Sequence, residues 1–134
     1  MNTLLINWIA VFVAALSAFA VGGLWYSPAV FGKAWMADSK LSQEDIKQGN
    51  KGKIFGFTAL FSLIMAVNLA MFLADAKTNL AWGAEAGFLT GVWTFCAIAI
   101  HSLFELKSWR YIFINGGYSV ISLTLMGAII GVWR

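Results

Sequence analysis

The sequence predicts an all-α integral membrane protein, a four-helix transmembrane bundle with short interfacial helices in its first connection. Three observations predict it. Of 134 residues, 60% are hydrophobic and 11% charged, with a mean hydropathy of +0.78, whereas a soluble domain is about 45–50% apolar and about 25% charged. Four apolar stretches reach the roughly 20 residues that a helix needs to cross a bilayer. The cations gather between these stretches rather than along them, which is the pattern that sets membrane topology. So few charges cannot keep so much apolar surface solvated, so a cytosolic domain and a disordered chain are both excluded.

One domain, residues 1–134, accounts for the length. The expected spans are about Leu4–Leu24, Ile54–Leu73, Leu80–Phe104 and Ile112–Trp133, with a connection over 25–53. A membrane β-barrel would instead show alternating segments of about 10 residues.

The first span carries Ala10, Ala14, Ala18 and Gly22 at every fourth position, with Asn7 on the same face. Lipid gives no hydrophobic drive between helices, so close approach of small residues and interhelical hydrogen bonds hold spans together. Ala18-Phe19-Ala20 resembles a signal-peptide cleavage site, but no Lys or Arg precedes the run. The run is also longer than an ordinary signal core, so it is read as a retained span.

In the connection, Trp25, Tyr26, Phe31 and Trp35 are expected at headgroup level as interfacial anchors. Ser27-Pro28 reads as a cap followed by a proline that starts a short helix through about Ala37. Ser42 and Asp45 have capping-box spacing, with Gly49 closing a second short helix. The Gln48–Lys53 stretch leads into the second span, which contains Asn68.

The third span has a polar seam. A helix turns about 100° per residue, so Gly83, Gly87, Gly91, Thr90 and Thr94 fall together on one arc about 100° wide. His101 and Glu105 continue the same arc toward the end of the span. The small faces of the first and third spans are expected to pack on each other or on a second copy. In the fourth span, Asn115, Ser119 and Ser122 share a face, and Asn115-Gly116-Gly117 is expected to loosen the helix.

Candidate chemistry is sparse. His101 and Glu105 are one turn apart and could relay a proton or pair with Arg110 or Lys107 for structure. A zinc site needs at least three protein ligands, and there is one His in the chain, so no metal is expected. Glu85 lies inside the third span on the side away from the glycine arc. An ionisable residue there either serves function or reaches the interface to pair with Lys77. Glu85, Asp75 and Asn68 could line one external vestibule. Cys96 is the single cysteine, so no intrachain disulfide forms. Nucleophile-elbow, phosphate-loop and zinc-protease motifs are absent from the sequence, so neither enzymatic activity nor a cofactor is expected.

Four spans put the Trp25–Lys53 connection and the Glu105–Tyr111 turn on one side. That side holds Lys33, Lys40, Lys47, Lys51, Lys53, Lys107 and Arg110, against Lys77 and Arg134 on the other. The bias predicts a cytoplasmic connection and both termini outside, in the cell (inner or plasma) membrane. These cations do not form a basic groove, so nucleic acid is not an expected partner.

Several segments carry a resemblance: Asn7-Trp8, Gly22-Gly23-Leu24-Trp25-Tyr26-Ser27-Pro28, Phe31-Gly32-Lys33-Ala34-Trp35-Met36, the His101…Glu105 pair and Asn115-Gly116-Gly117-Tyr118. Together they resemble the DUF1761 family of small bacterial membrane proteins. The resemblance implies a four-span protein of prokaryotic type and no catalytic assignment, because the family's function is not established. The expected partners are the lipid bilayer and further copies in a homo-oligomer. The expected role is binding or passage of a small ion or solute, lined by Asn68, Asp75, Glu85, His101, Glu105 and Asn115. The alternative is a non-transporting scaffold or regulator whose connection docks a cytoplasmic partner or anionic lipid.

Overall fold

A computed structural model describes residues 2–134 and is all-helical over them. Each span begins where a polar side chain satisfies the free N–H groups of its first turn. Asn7 accepts from the Ile9 and Ala10 amides at 3.1 and 3.3 Å and starts α1, Trp8–Trp25. The first span therefore begins at Trp8 rather than Leu4, and Thr3–Leu5 form a separate 3₁₀ turn. Two short helices follow, α2 (Gly32–Ser39) and α3 (Gln43–Gln48). Asn50, Asn79 and Ser108 then cap α4 (Lys51–Phe72), α5 (Leu80–Phe104) and α6 (Trp109–Val132). The α1, α4, α5 and α6 helices are each long and apolar enough to cross a membrane.

The connection departs from its expected start. Ser27 and Pro28 sit in a turn, and α2 begins after Phe31. The Ser27 hydroxyl donates to the Leu24 carbonyl at 2.7 Å, closing α1 instead of opening α2. Its own carbonyl accepts from the Val30 and Gly32 amides at 3.1 and 2.9 Å. Gly32 is required there, because a Cβ would overlap the Tyr26 carbonyl oxygen. The α2 helix ends at Lys40 in the left-handed region, φ 58°. Ser42 and Asp45 form both bonds of the capping box at the start of α3.

Side by side, the spans run in the order α4, α1, α6, α5. The α5–α6 seam is the closest. A Cβ on Gly83 would overlap the Gly127 carbonyl oxygen, and one on Gly87 would overlap that of Leu123. Without side chains between them the two backbones touch, which maximises dispersion contact where lipid supplies no hydrophobic drive. The α1 face bearing Ala10, Ala14 and Ala18 is buried among α4 and α6, with Val11, Ala66, Leu69, Ala70, Leu123 and Met126 filling the space. The two small faces therefore do not meet each other, because α6 stands between their helices. A Cβ on Gly22 would lie 3.4 Å from the Tyr118 ring. Nor is α6 loosened at Asn115-Gly116-Gly117, which lie inside a continuous helix. The rings of Phe95 and Trp25 occupy the room left by the missing side chains of Gly116 and Gly117.

At the end bearing the termini, the elements are tied by backbone groups. The Asn2 amide donates to the Ala74 carbonyl at 2.9 Å. Arg134 donates to the carbonyls of Leu73 and Asp75 at 3.0 and 2.7 Å, just past the end of α4.

Candidate functional site

The densest polar and aromatic constellation lies where α1 ends, α2 packs and α6 begins. Trp25 donates its indole N–H to the Ile114 carbonyl at 2.8 Å. Tyr26 donates its hydroxyl to Asn115 Oδ1 at 2.6 Å, and Tyr118 donates to the Ala18 carbonyl at 2.8 Å. The Tyr26 ring meets Trp35 edge-on at 5.4 Å and Tyr118 at 5.6 Å, while Trp25 lies 4.8 Å from Phe31. Burial pushes the Tyr26 phenol up from its ordinary pKa, with Tyr118 and Tyr111 adding to the rise. It is therefore a standing hydrogen-bond donor at neutral pH.

The outer edge of this constellation is an ion pair. Arg110 grips Asp38 with Nε and one terminal nitrogen, both at 2.7 Å. Such a fork fixes direction as well as distance. The hydrogen bond from Arg110 holds the Asp38 carboxyl below the usual carboxylate range, with the guanidinium charge and Ser108 assisting. Trp35 and Asp38 stand three residues apart, so one face of α2 carries both contacts. The short helix is thus fixed at two points, on Tyr26 through Trp35 and on α6 through Asp38.

The sequence-selected residues fall elsewhere or take other roles. Asn68 and Asp75 line one shallow groove with Met71, Phe72 and Ala74 near the termini, and Glu85 is outside that lining. Glu85, His101 and Glu105 are all exposed on α5 or at its end. Arg110 is held by Asp38 and not by Glu105, and Lys107 lies over the Tyr111 ring at 5.4 Å. Arg110–Asp38 is the ion pair formed among the described residues, so Glu85 and Lys77 do not form one. Asn115 is half-buried as the acceptor for Tyr26. Trp25, Tyr26 and Trp35 are half-buried. The first two spend their polar atoms on α6 rather than on headgroups alone.

Nothing in the sequence pairs Asp38 or Tyr118 with a partner. A signal for the region exists nonetheless. Three of the five segments that carry the family resemblance, Gly22–Pro28, Phe31–Met36 and Asn115–Tyr118, meet in this constellation. Chemically it is a clamp: its polar contacts join protein to protein, and it sets the position of the connection on the bundle.

A family model described as a protein of unknown function, DUF1761, matches residues 9–131. No curated protein and no solved structure matches the chain.

Proposed function

The chain belongs to the DUF1761 family, and from the clamp just described we propose that it is a non-transporting membrane scaffold or regulator whose 25–53 connection is a docking platform for a cytoplasmic partner. The Arg110–Asp38 fork carries this reading. A connection that only joins two spans has no need of a bidentate ion pair, an indole hydrogen bond and a phenol hydrogen bond to hold it in one place. A surface presented to a partner does, because pre-ordering removes entropy cost from binding. The apolar core supports the same reading: the cluster packed between α1, α4 and α6 is Ala, Val, Leu, Ile and Met, with serines as the buried polar side chains of α4 and α6. The lysine bias supports a cytoplasmic platform with the termini outside.

The test is in-cell photo-crosslinking with benzoylphenylalanine in place of Gln43 or Lys47. A defined cross-linked species that fades in Arg110→Ala at equal membrane abundance supports the platform. Identical cross-links with the fork intact and broken would remove it.

One observation favours a second reading, passage of a small ion between copies in a homo-oligomer. Asn68, Glu85, His101 and Glu105 are exposed on the outside of the bundle, where only a neighbouring copy could close a path around them. Proteoliposome flux above that of protein-free vesicles, abolished by Glu85→Gln, would replace the scaffold reading with this one.

A further inference from the structure

The face that α4 turns toward α1 is used along half its length. Ser62, Ala66, Leu69 and Ala70 are buried. At about 100° per residue, Ala59, Phe55 and Lys51 all lie within about 60° of Ala66 around the helix, on that inward arc. Yet every residue from 51 to 61 is exposed, Phe55 at 58%. Nothing approaches within 4 Å of where a Cβ on Gly56 would lie. The two helices close together near the termini and diverge toward the connection. The reason is that the end of α1 is tied to α6 through the Trp25–Ile114 and Tyr118–Ala18 hydrogen bonds, whereas among the described residues no side-chain hydrogen bond or ion pair joins the first half of α4 to another span.

This leaves a wedge with apolar walls and a basic mouth. From Lys51 to Ser62 the helix rises about 16 Å, close to one leaflet of a hydrocarbon core about 30 Å thick. Lys51 stands on the inward arc at the mouth, Lys53 is two residues on, and Lys33, Lys40 and Lys47 lie in the adjoining connection.

We propose that the wedge between α1 and α4 binds one anionic phospholipid, its acyl chain along Phe55 and Ala59 and its phosphate at Lys51 and Lys53. Charge selects this occupant over a second copy of the chain, which would bring an identical set of lysines against the first. A hydrocarbon tail fits a leaflet-deep apolar slot, and a negative headgroup completes the basic mouth. The proposal does not depend on a docked partner. It needs only that the connection lies at a membrane surface.

Native mass spectrometry of the full chain in detergent tests it, titrating dioleoyl-phosphatidylglycerol against dioleoyl-phosphatidylcholine. One phosphatidylglycerol is expected to bind tightly, and the Lys51→Gln/Lys53→Gln pair should weaken it about tenfold or more. Lys107→Gln, with the same loss of charge per site on the α5–α6 turn, should leave it unchanged. Ala59→Trp fills the slot from an exposed position and should remove the bound lipid while thermal unfolding stays near that of the parent. Equal binding of the two lipids, or phosphatidylglycerol binding untouched by the paired lysine change and by Ala59→Trp, overturns the proposal. So does a lipid-free dimer that Phe55→Cys crosslinks through position 55, since a second copy would then hold the wedge. Any of these failures leaves the crosslinking test of the platform standing on its own.

Discussion

Glycines on α5 and on α4 meet opposite surroundings. Gly83, Gly87 and Gly91 press against the backbone of α6, whereas Gly56 on α4 has open space where a side chain would be. Both helices are apolar and similar in length, and both carry small residues at helical spacing. What differs is the partner surface. The α6 helix answers α5 with Gly127 and Gly131 at matching heights. It is also the most enclosed span, with 44% of its most apolar stretch buried against 22% for α4. A small residue in a membrane helix permits close approach, and only complementary small residues opposite it turn permission into contact.

The sharpest way to break this contrast is Gly87→Leu. Its side chain has to displace the Leu123 carbonyl and force apart a pair of helices in backbone contact. The expected loss is about 3 kcal/mol or more, read as a large fall in the thermal midpoint in detergent or a failure to recover monodisperse protein. An unchanged midpoint would mean that the seam does not hold α5 to α6.

Tyr26→Phe should cost about 1 kcal/mol by removing the hydrogen bond to Asn115. Chemical denaturation should show it, and hydrogen exchange should rise at the end of α1 and the start of α6 while the Gly83–Gly91 stretch stays protected. Uniformly faster exchange would show that clamp and seam are one cooperative unit.

A smaller effect is expected from Arg110→Ala. The fork is solvent-exposed, 59% on the arginine side, and water screens a pair of that kind. Global unfolding should barely move, and the change should be confined to exchange or proteolysis within Gly32–Ser39. Its pH dependence has a defined sign. The folded Asp38 carboxyl is held below its ordinary value, so the fork's contribution is complete above the ordinary carboxylate pKa and is lost as pH falls through the lower folded value. Protection of α2 should hold at neutral pH and drop only on strong acidification. Arg110→Ala should lack that drop.

Gly56→Ala is the counterpart of the first substitution and the only one of the four expected to do no harm. Nothing lies near its Cβ, so it should be neutral or stabilise by less than about 1 kcal/mol through helix propensity. A destabilisation comparable to that of Gly87→Leu would show that α4 packs along its full length.

Much of this fold is local and therefore legible along the chain. Hydropathy marks four spans, and the regular turn of the helix puts Gly83, Gly87 and Gly91 on one arc. The spacing of Ser42 and Asp45 marks a cap, because helices are built from contacts within four residues. Ser27-Pro28 misleads because its hydroxyl has two uses, opening one helix or closing another. That choice depends on where Gly32 has to pass the backbone of Tyr26 and Ser27. The clamp is less legible. Tyr26 and Asn115, or Asp38 and Arg110, are far apart in sequence, and Glu105 and Asp38 are equal candidates for Arg110 until α2 is placed.

By itself the sequence determined that this chain is four apolar helices with a basic connection, and which residues share a face on each. Only the tertiary structure decided that α6 would stand between α1 and α5, that Asp38 would take Arg110, and that α4 would diverge from α1 on the connection side of Ser62. Period and hydropathy are properties of one helix, whereas partner choice depends on how two surfaces cross. In lipid that choice rests on shape, because burial from water no longer distinguishes one neighbour from another.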